Sequence, residues 1–194
     1  GCGVECEQFF NISSDDITVA NWLALASRIN ALAKDDDIAG FVVTHGTNTL
    51  EETAYFLNLT VKTKKPVIVT GAMYPATAPC FDGAQNLYEA IALAANENAS
   101  QRGVMVLFAD GIYSSRDVRK ENPYRMQAFG GADAGLLGFM QDERAYFLHG
   151  SDKRHTCMSE FDTEGKTVLP RVDIAYFYAD APAEQLDYIG DGVN

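Results

Sequence analysis

Short apolar strands that alternate with helical segments constrain this chain more than any other feature. Runs rich in β-branched residues predict buried strands at residues 38–44, 67–70 and 103–109. The segments between them, residues 50–62 and 83–95, have helical character. Fully apolar strands joined through helices are typical of βαβ units, in which both faces of a parallel sheet are covered. We therefore predict an α/β fold, an open parallel sheet with helices on both faces.

Capping signals suggest where two of the helices begin. Ser14 or Asp15 can cap a helix predicted over residues 14–34, after a short strand at 7–12. Thr49 and Glu52 have the spacing of a capping box, in which each side chain meets the other's backbone N–H.

The pattern weakens beyond Asp110, and a new strand is expected only at residues 172–178. The stretch between, residues 163–171, has the composition of a polar linker. We therefore expect a first domain over residues 1–162 and the start of a second, smaller α/β domain at residues 172–194, with a weak helix at its end.

Composition excludes several classes of partner. The net charge is −12 with no basic stripe, which disfavours binding to DNA or RNA, and no apolar run is long enough to span a bilayer. Cys2 and Cys6 are spaced as metal ligands can be, but no second Cys or His pair completes a site. We expect a soluble protein without a metal that acts on a small polar molecule.

Polar or glycine-rich loops should gather where the predicted parallel strands end. Ligands of open α/β sheets bind beyond the carboxyl ends of the strands, and residues 13–15, 45–49 and 71–73 follow three such ends. The alternative interpretation of Ser14 and Thr49 is that they serve only as helix caps. Thr47 precedes the cap position, so its hydroxyl can face the cleft, whereas Lys120 taken alone would be an ordinary surface charge.

One segment carries a specific resemblance. Residues 44–57 read T-H-G-T-N-T-L-E-E-T-A-Y-F-L, which resembles the T-H-G-T-D-T signature of bacterial-type L-asparaginases. Further segments resemble that family in order and spacing: V-T-G-A-M at 69–73, D-G at 82–83, N-L-Y at 86–88, R-G-V at 102–104 and R-D-V-R-K at 116–120. The E-E-T-A-Y-F-L ending is similar to the type II enzymes, which are periplasmic.

The resemblance implies an amidohydrolase that converts L-asparagine, and often L-glutamine, to the acid and ammonia without a cofactor. A threonine on the family's first strand attacks the amide carbon, and the resemblance implies that Thr47 and Lys120 support proton transfer. It assigns Ser14, Asp15, Asn48 and the backbone at Ala72 to substrate binding. It also implies a homotetramer whose sites are each built from two subunits.

The chain departs from the family pattern at three positions. Asn48 replaces an aspartate that binds the substrate's α-ammonium, which predicts weaker recognition of that group. Asp15 stands where type II enzymes have Gln or Glu, and could supply the missing charge. Tyr74 stands where they have Arg.

The resemblance also sets expectations about the whole chain. It begins beyond the nucleophile's strand and ends inside the second domain, so we expect it to be inactive alone. The cysteines that form a disulfide in some periplasmic relatives are absent, which leaves a periplasmic location only slightly favoured over a cytoplasmic one.

Two other functions stay open on the sequence. One is a non-catalytic amino-acid-binding paralogue, favoured by Asn48 and disfavoured by the retained Thr47 and Lys120. The other is the ammonia-producing subunit of a tRNA-dependent amidotransferase, which shares the T-H-G-T-D-T core but would need a basic docking surface.

Overall fold

The computed structural model describes residues 2–184 as an α/β fold built on a six-stranded sheet. Three helices belong to it: α1 (Val19–Leu32), α2 (Leu50–Thr60) and α3 (Gly83–Ala94). The strands are β1 (Phe41–Thr44), β2 (Val67–Thr70), β3 (Val104–Phe108), β4 (Gly111–Ser114), β5 (Arg119–Lys120), β6 (Phe129–Gly130), β7 (Gly138–Gln141) and β8 (Arg144–Phe147). No helix among the described residues is long and apolar enough to cross a membrane.

The first half of the sheet confirms the predicted α/β architecture. The sheet order is β1-β2-β3-β4-β7-β8, and β2 pairs in parallel with both β1 and β3. The apolar side chains of β2 alternate between two cores: Val67 and Val69 join residues of α1 and α2, and Ile68 joins residues of α3. Because every residue of β2 is buried, helices must cover both faces.

The second half of the sheet is antiparallel, which the sequence did not predict. β3 turns directly into β4 through Ala109 and Asp110, both at positive φ, and β7 and β8 continue the sheet as a hairpin. A separate pair, β5 and β6, is also antiparallel. The strands β4 to β8 are only two to four residues long and lack the β-branched runs that mark β1 and β2, so they carry no reliable sequence signal.

The predicted start of the first helix is wrong. Residues 7–12 do not form the expected strand, and Ser14–Asp16 is a short 3₁₀ turn rather than the first turn of α1. The true cap is Thr18, whose hydroxyl accepts a hydrogen bond from the backbone N–H of Asn21 while Asn21 accepts one from the Thr18 backbone. This reciprocal pair is a stronger start signal than a serine or aspartate alone.

The expected strand at residues 172–178 is also absent. These residues have no strand partner in the described part of the chain, and their apolar side chains are exposed, Val172 by 83% and Ile174 by 75%. A β-branched run forms a strand only when another strand satisfies its backbone. The rest of the expected second domain, including its weak helix, falls partly on residues 185–194 and lies outside the described residues.

Candidate functional site

The loops that follow β1 and β2 lie side by side. Because the two strands are parallel neighbours, their carboxyl ends meet at one edge of the sheet. The backbone N–H of His45 donates to the carbonyl of Thr70 at 2.8 Å. Gly71 sits so close to this loop that a Cβ placed on it would be 2.2 Å from the His45 carbonyl oxygen. Two of the three predicted loops therefore touch through backbone alone.

The third loop, at residues 13–15, reaches the same edge although no strand leads into it. Ser14 is buried against Gly46, where an added Cβ would lie 2.7 Å from the Ser14 hydroxyl oxygen. Thr49 donates its hydroxyl to the Ser14 carbonyl at 2.6 Å. The Thr49–Glu52 capping box is therefore wrong, because the Thr49 hydroxyl holds this turn and makes no side-chain cap bond to α2.

Lys120 and Thr47, separated by 73 residues in the sequence, are in direct contact. The Lys120 ammonium donates to the Thr47 hydroxyl oxygen at 2.8 Å and to the Asn48 side-chain oxygen at 2.7 Å. Its backbone N–H donates to the Glu51 carboxylate at 2.6 Å. The pairing of β5 with β6, where Lys120 lies opposite Phe129, orients the side chain. Lys120 is thus a built-in component of this edge and not a surface charge.

The Asn48 amide joins Lys120 to Asp15. Its NH₂ group lies 3.2 and 3.1 Å from the two carboxylate oxygens of Asp15, and its oxygen faces the lysine. An ammonium can only donate and a carboxylate can only accept, so the amide has a single favourable orientation. Asp15, Asn48, Lys120 and Thr47 therefore form one hydrogen-bonded row, with the negative charge at one end.

Ala72 stands apart from that row. It follows Gly71 at the end of β2, and the carbonyl of Gly71 accepts a hydrogen bond from the Asn86 amide at 2.9 Å. Among the described residues, Ala72 takes part in none of the hydrogen bonds that connect the other predicted site residues.

An open cavity adjoins the row. Its volume is about 350 Å³, within the roughly 300–1,000 Å³ usual for small-molecule sites, and its lining residues are Asn48, Glu51, Lys120, Glu121 and Pro123. Three of these residues were not predicted from the sequence: Glu51, Glu121 and Pro123. Nearness in sequence was the available signal, since Glu51 lies shortly after Thr47, Glu121 directly follows Lys120, and Pro123 comes two residues after Glu121.

A partly buried hydrogen-bond relay supports the loop after β1. Thr53 is fully buried; its hydroxyl accepts from the Trp22 indole at 2.8 Å and lies 2.9 Å from Nε2 of His45. A hydroxyl that accepts from the indole keeps its own proton for Nε2, so Nδ1 of His45 carries a proton and donates to the Gly46 carbonyl at 2.7 Å. This relay makes the glycine turn before Thr47 rigid.

The arrangement suits proton transfer at a small zwitterion. A hydroxyl beside a lysine can exchange a proton with a bound molecule, and the exposed carboxylate of Asp15 suits a cationic group. Within residues 2–184, no three His, Cys, Asp or Glu side chains lie where they could hold a metal ion, and the four cysteines are free and exposed.

Known proteins share this fold and much of this sequence. The family model described as the amino-terminal domain of asparaginase matches residues 2–152. A probable periplasmic L-asparaginase from Haemophilus influenzae is 42% identical over 95% of this chain and 52% of its own length. A glutaminase-asparaginase from Pseudomonas fluorescens is 46% identical over 90% of this chain and 48% of its own length.

A solved structure is also similar to this chain in both fold and sequence. It is a probable cytoplasmic L-asparaginase from Campylobacter jejuni, 42% identical, with a TM-score of 0.91 over 95% of this chain and 58% of its own. The chain thus spans about half the length of the curated relatives it matches.

Proposed function

The chain belongs to the asparaginase family, and on that premise we propose that the protein containing it hydrolyses the side-chain amide of L-asparagine, and also of L-glutamine, releasing ammonia. The observation that carries this proposal is the pair of hydrogen bonds from Lys120 to Thr47 and Asn48. A lysine held against a hydroxyl is an arrangement that supports proton transfer.

The proposed reaction uses a second threonine, supplied from outside residues 2–184, as the nucleophile. Its hydroxyl adds to the amide carbon, the C–N bond breaks, and ammonia leaves after taking up a proton. Water then cleaves the resulting ester to the carboxylic acid. The contact between Thr47 and Lys120 supports their role as the donor and acceptor of the protons in both steps.

The proposed substrate lies with its α-amino-acid end toward residues 13–15. Asp15 is the exposed carboxylate of the row and faces the substrate's ammonium, while Ser14 and the backbone at Ala72 face its α-carboxylate and side chain. The support for Asp15 is that Asn48 already donates to it and accepts from Lys120, so little of the amide is left for a ligand.

Ammonia release by the full-length protein tests the proposal. We expect turnover of asparagine and glutamine, and a loss of at least about a hundredfold in kcat for Lys120→Met, the lower end of what a proton-transfer group contributes. Lys166→Met, a change at an exposed lysine in the segment after the first domain, is the control and should leave kcat unchanged. A folded protein that binds aspartate in calorimetry but releases no ammonia would instead indicate the amino-acid-binding paralogue.

We further propose the domain division at residues 163–171 and a homotetramer in the full-length protein. The support is the exposed apolar surface at the end of the described chain, where Tyr176 is 75% and Phe177 is 69% exposed; such surfaces are typical of unfilled contacts. Limited proteolysis should cut first at residues 163–171, and sedimentation should give four subunits. A monomer in sedimentation would contradict the homotetramer, and resistance of residues 163–171 to cleavage would contradict the domain division.

A further inference from the structure

Two tyrosines join the loop after β2 to the loop after β5. Tyr74 lies in the first of these, residues 71–82, and Tyr124 in the second, residues 121–128. Their ring centroids are 5.7 Å apart with an interplanar angle of 79°, the edge-to-face arrangement that aromatic pairs prefer. Partial burial, and then the neighbouring Tyr124, raises the pKa of the Tyr74 hydroxyl above 10.0, so this ring stays neutral at physiological pH.

The backbone at Tyr74 is held in place by hydrogen bonds. The Asp82 carboxylate accepts hydrogen bonds from the backbone N–H groups of Met73 and Tyr74, at 3.0 to 3.2 Å. The same carboxylate accepts from the Asn86 amide at 3.1 Å, which ties the loop to α3. Tyr74 therefore presents its ring from a rigid position.

Tyr124 lies in a loop whose hydrogen bonds are mainly between its own residues. The backbone N–H groups of Glu121 and Asn122 both donate to the Ala128 carbonyl, at 2.7 and 3.1 Å. The Asn122 side-chain oxygen accepts from the backbone N–H groups of Tyr124 and Arg125, at 2.9 and 2.8 Å. These bonds hold the loop's shape, and Ala128 anchors its end in the core, but none of them joins the tip at Tyr124, which is 73% exposed, to the loop after β2.

That loop forms one wall of the cavity. Glu121 and Pro123 line one side of the cavity. The other side is lined by Asn48, in the loop before α2, and by Glu51 on α2. Tyr124 directly follows Pro123, and Lys120 directly precedes Glu121. Any tilt of the loop therefore moves the wall and disturbs the approach to the lysine.

We propose that the Tyr74–Tyr124 pair is a positioning contact that fixes the wall formed by residues 121–128 and so determines which side-chain length the site accepts. The inference rests on the proposed function, because asparagine and glutamine differ by one methylene, which is the difference that such a wall can discriminate. With the pair intact, the wall is held close to Lys120 and asparagine, the shorter amide, is favoured. Without the pair, the wall can move outward, and the kcat/KM for glutamine, the longer amide, rises relative to that for asparagine.

Substrate preference in the full-length protein tests the proposal. In Tyr74→Ala and Tyr124→Ala we expect the ratio of kcat/KM for glutamine to that for asparagine to rise about fivefold, the effect of one aromatic pair. The double variant should change the ratio no more than either single one, because both remove the same contact. The control is Tyr146→Ala, which removes a stacked pair with Phe139 on β7 and β8 at the far side of the sheet and should leave the ratio unchanged. An unchanged ratio in both single variants would overturn the inference while leaving the amidase intact.

A second readout does not depend on turnover. Amide hydrogen exchange at Glu121 and Asn122 should speed up about fivefold in Tyr74→Ala, although Tyr74 is distant in sequence, and should not change in Tyr146→Ala. Unchanged exchange would refute the positioning role even in a protein that hydrolyses neither amide. The absence of ammonia from the unmodified protein would refute only the proposed function.

Discussion

Asn48 uses both ends of its amide on protein neighbours. Its oxygen accepts from Lys120 and its NH₂ group donates to Asp15, so the residue acts as a spacer between a cation and an anion. The family's aspartate at this position would place a charge next to the lysine. In the proposed function, the charge that faces the substrate's ammonium is instead that of Asp15, the next member of the hydrogen-bonded row after Asn48.

Asp15→Asn should therefore weaken binding of the α-ammonium. A charge-assisted hydrogen bond contributes roughly 1.5–3 kcal/mol against roughly 0.5–1.5 for a neutral one, so the Kd for L-aspartate should rise about tenfold. Titration calorimetry on the full-length protein measures it. An analogue without the α-amino group should bind the variant and the unmodified protein equally.

Asp16→Asn is the matched control, since Asp16 is an exposed aspartate of the same 3₁₀ turn. Equal losses for both aspartates would indicate a general effect of net charge. If Asp15→Asn left aspartate binding intact and Asn48→Asp strengthened it, the cationic subsite would belong to position 48 instead.

Among the structural elements, the site depends on loops whose backbones approach each other too closely for a Cβ atom at the point of contact. The turn after β1 meets Ser14 at Gly46, and the turn after β2 meets His45 at Gly71. The loops after parallel strands can converge only if such positions lack a Cβ.

Gly71→Ala should separate these two loops. Its Cβ would lie 2.2 Å from the His45 carbonyl oxygen, a backbone atom that cannot rotate away. We expect the free energy of unfolding to fall by about 1–3 kcal/mol, and Tm by about 2–4 °C for each kcal/mol. Thermal unfolding measures both values.

Gly150→Ala serves as the control for the same substitution. The nearest atom to its added Cβ is an Arg102 guanidinium nitrogen at 3.9 Å, an ordinary contact. A Tm for Gly71→Ala that matched this control would show that the two turns do not need their close approach.

At the scale of the whole molecule, a segment near residue 155 seals the edge of the fold opposite the site. His155 is only 3% exposed; it packs against Gly103 at the start of β3, and its Nδ1 lies 3.0 Å from the Thr156 hydroxyl. The ammonium of Lys62, which follows α2, donates to the Ser159 carbonyl at 2.8 Å. Burial, and then the nearby Arg116, lowers the pKa of His155 below 6.5.

Acid should therefore destabilise the protein through His155. When the pH falls below 6.5, the unfolded chain takes up a proton that the folded state resists, so stability decreases until the pH reaches the lower, folded pKa. The fall in Tm from about pH 7.5 to about pH 5 should be smaller in His155→Gln. His149→Gln, at an exposed histidine, should behave like the unmodified protein; a similar fall in all three would exclude His155 as the cause.

Elements whose signal is local could be predicted from the sequence. Where a β-branched run found a partner strand and an apolar period found a core to cover, the local signal was enough: β2 matched its prediction, and α2, α3 and β3 matched theirs within two residues. The T-H-G-T-N-T segment likewise indicated the family, and the loops after β1 and β2 followed from the parallel topology.

Which distant residues meet, in contrast, depends on how the whole chain folds. No local pattern places Lys120 against Thr47, because its orientation depends on β6, and none assigns the Thr49 hydroxyl to Ser14 instead of to α2. The strand expected at residues 172–178 failed for the same reason. A strand, a cap or an amide orientation is completed by a hydrogen-bonding partner, and that partner comes from elsewhere in the chain.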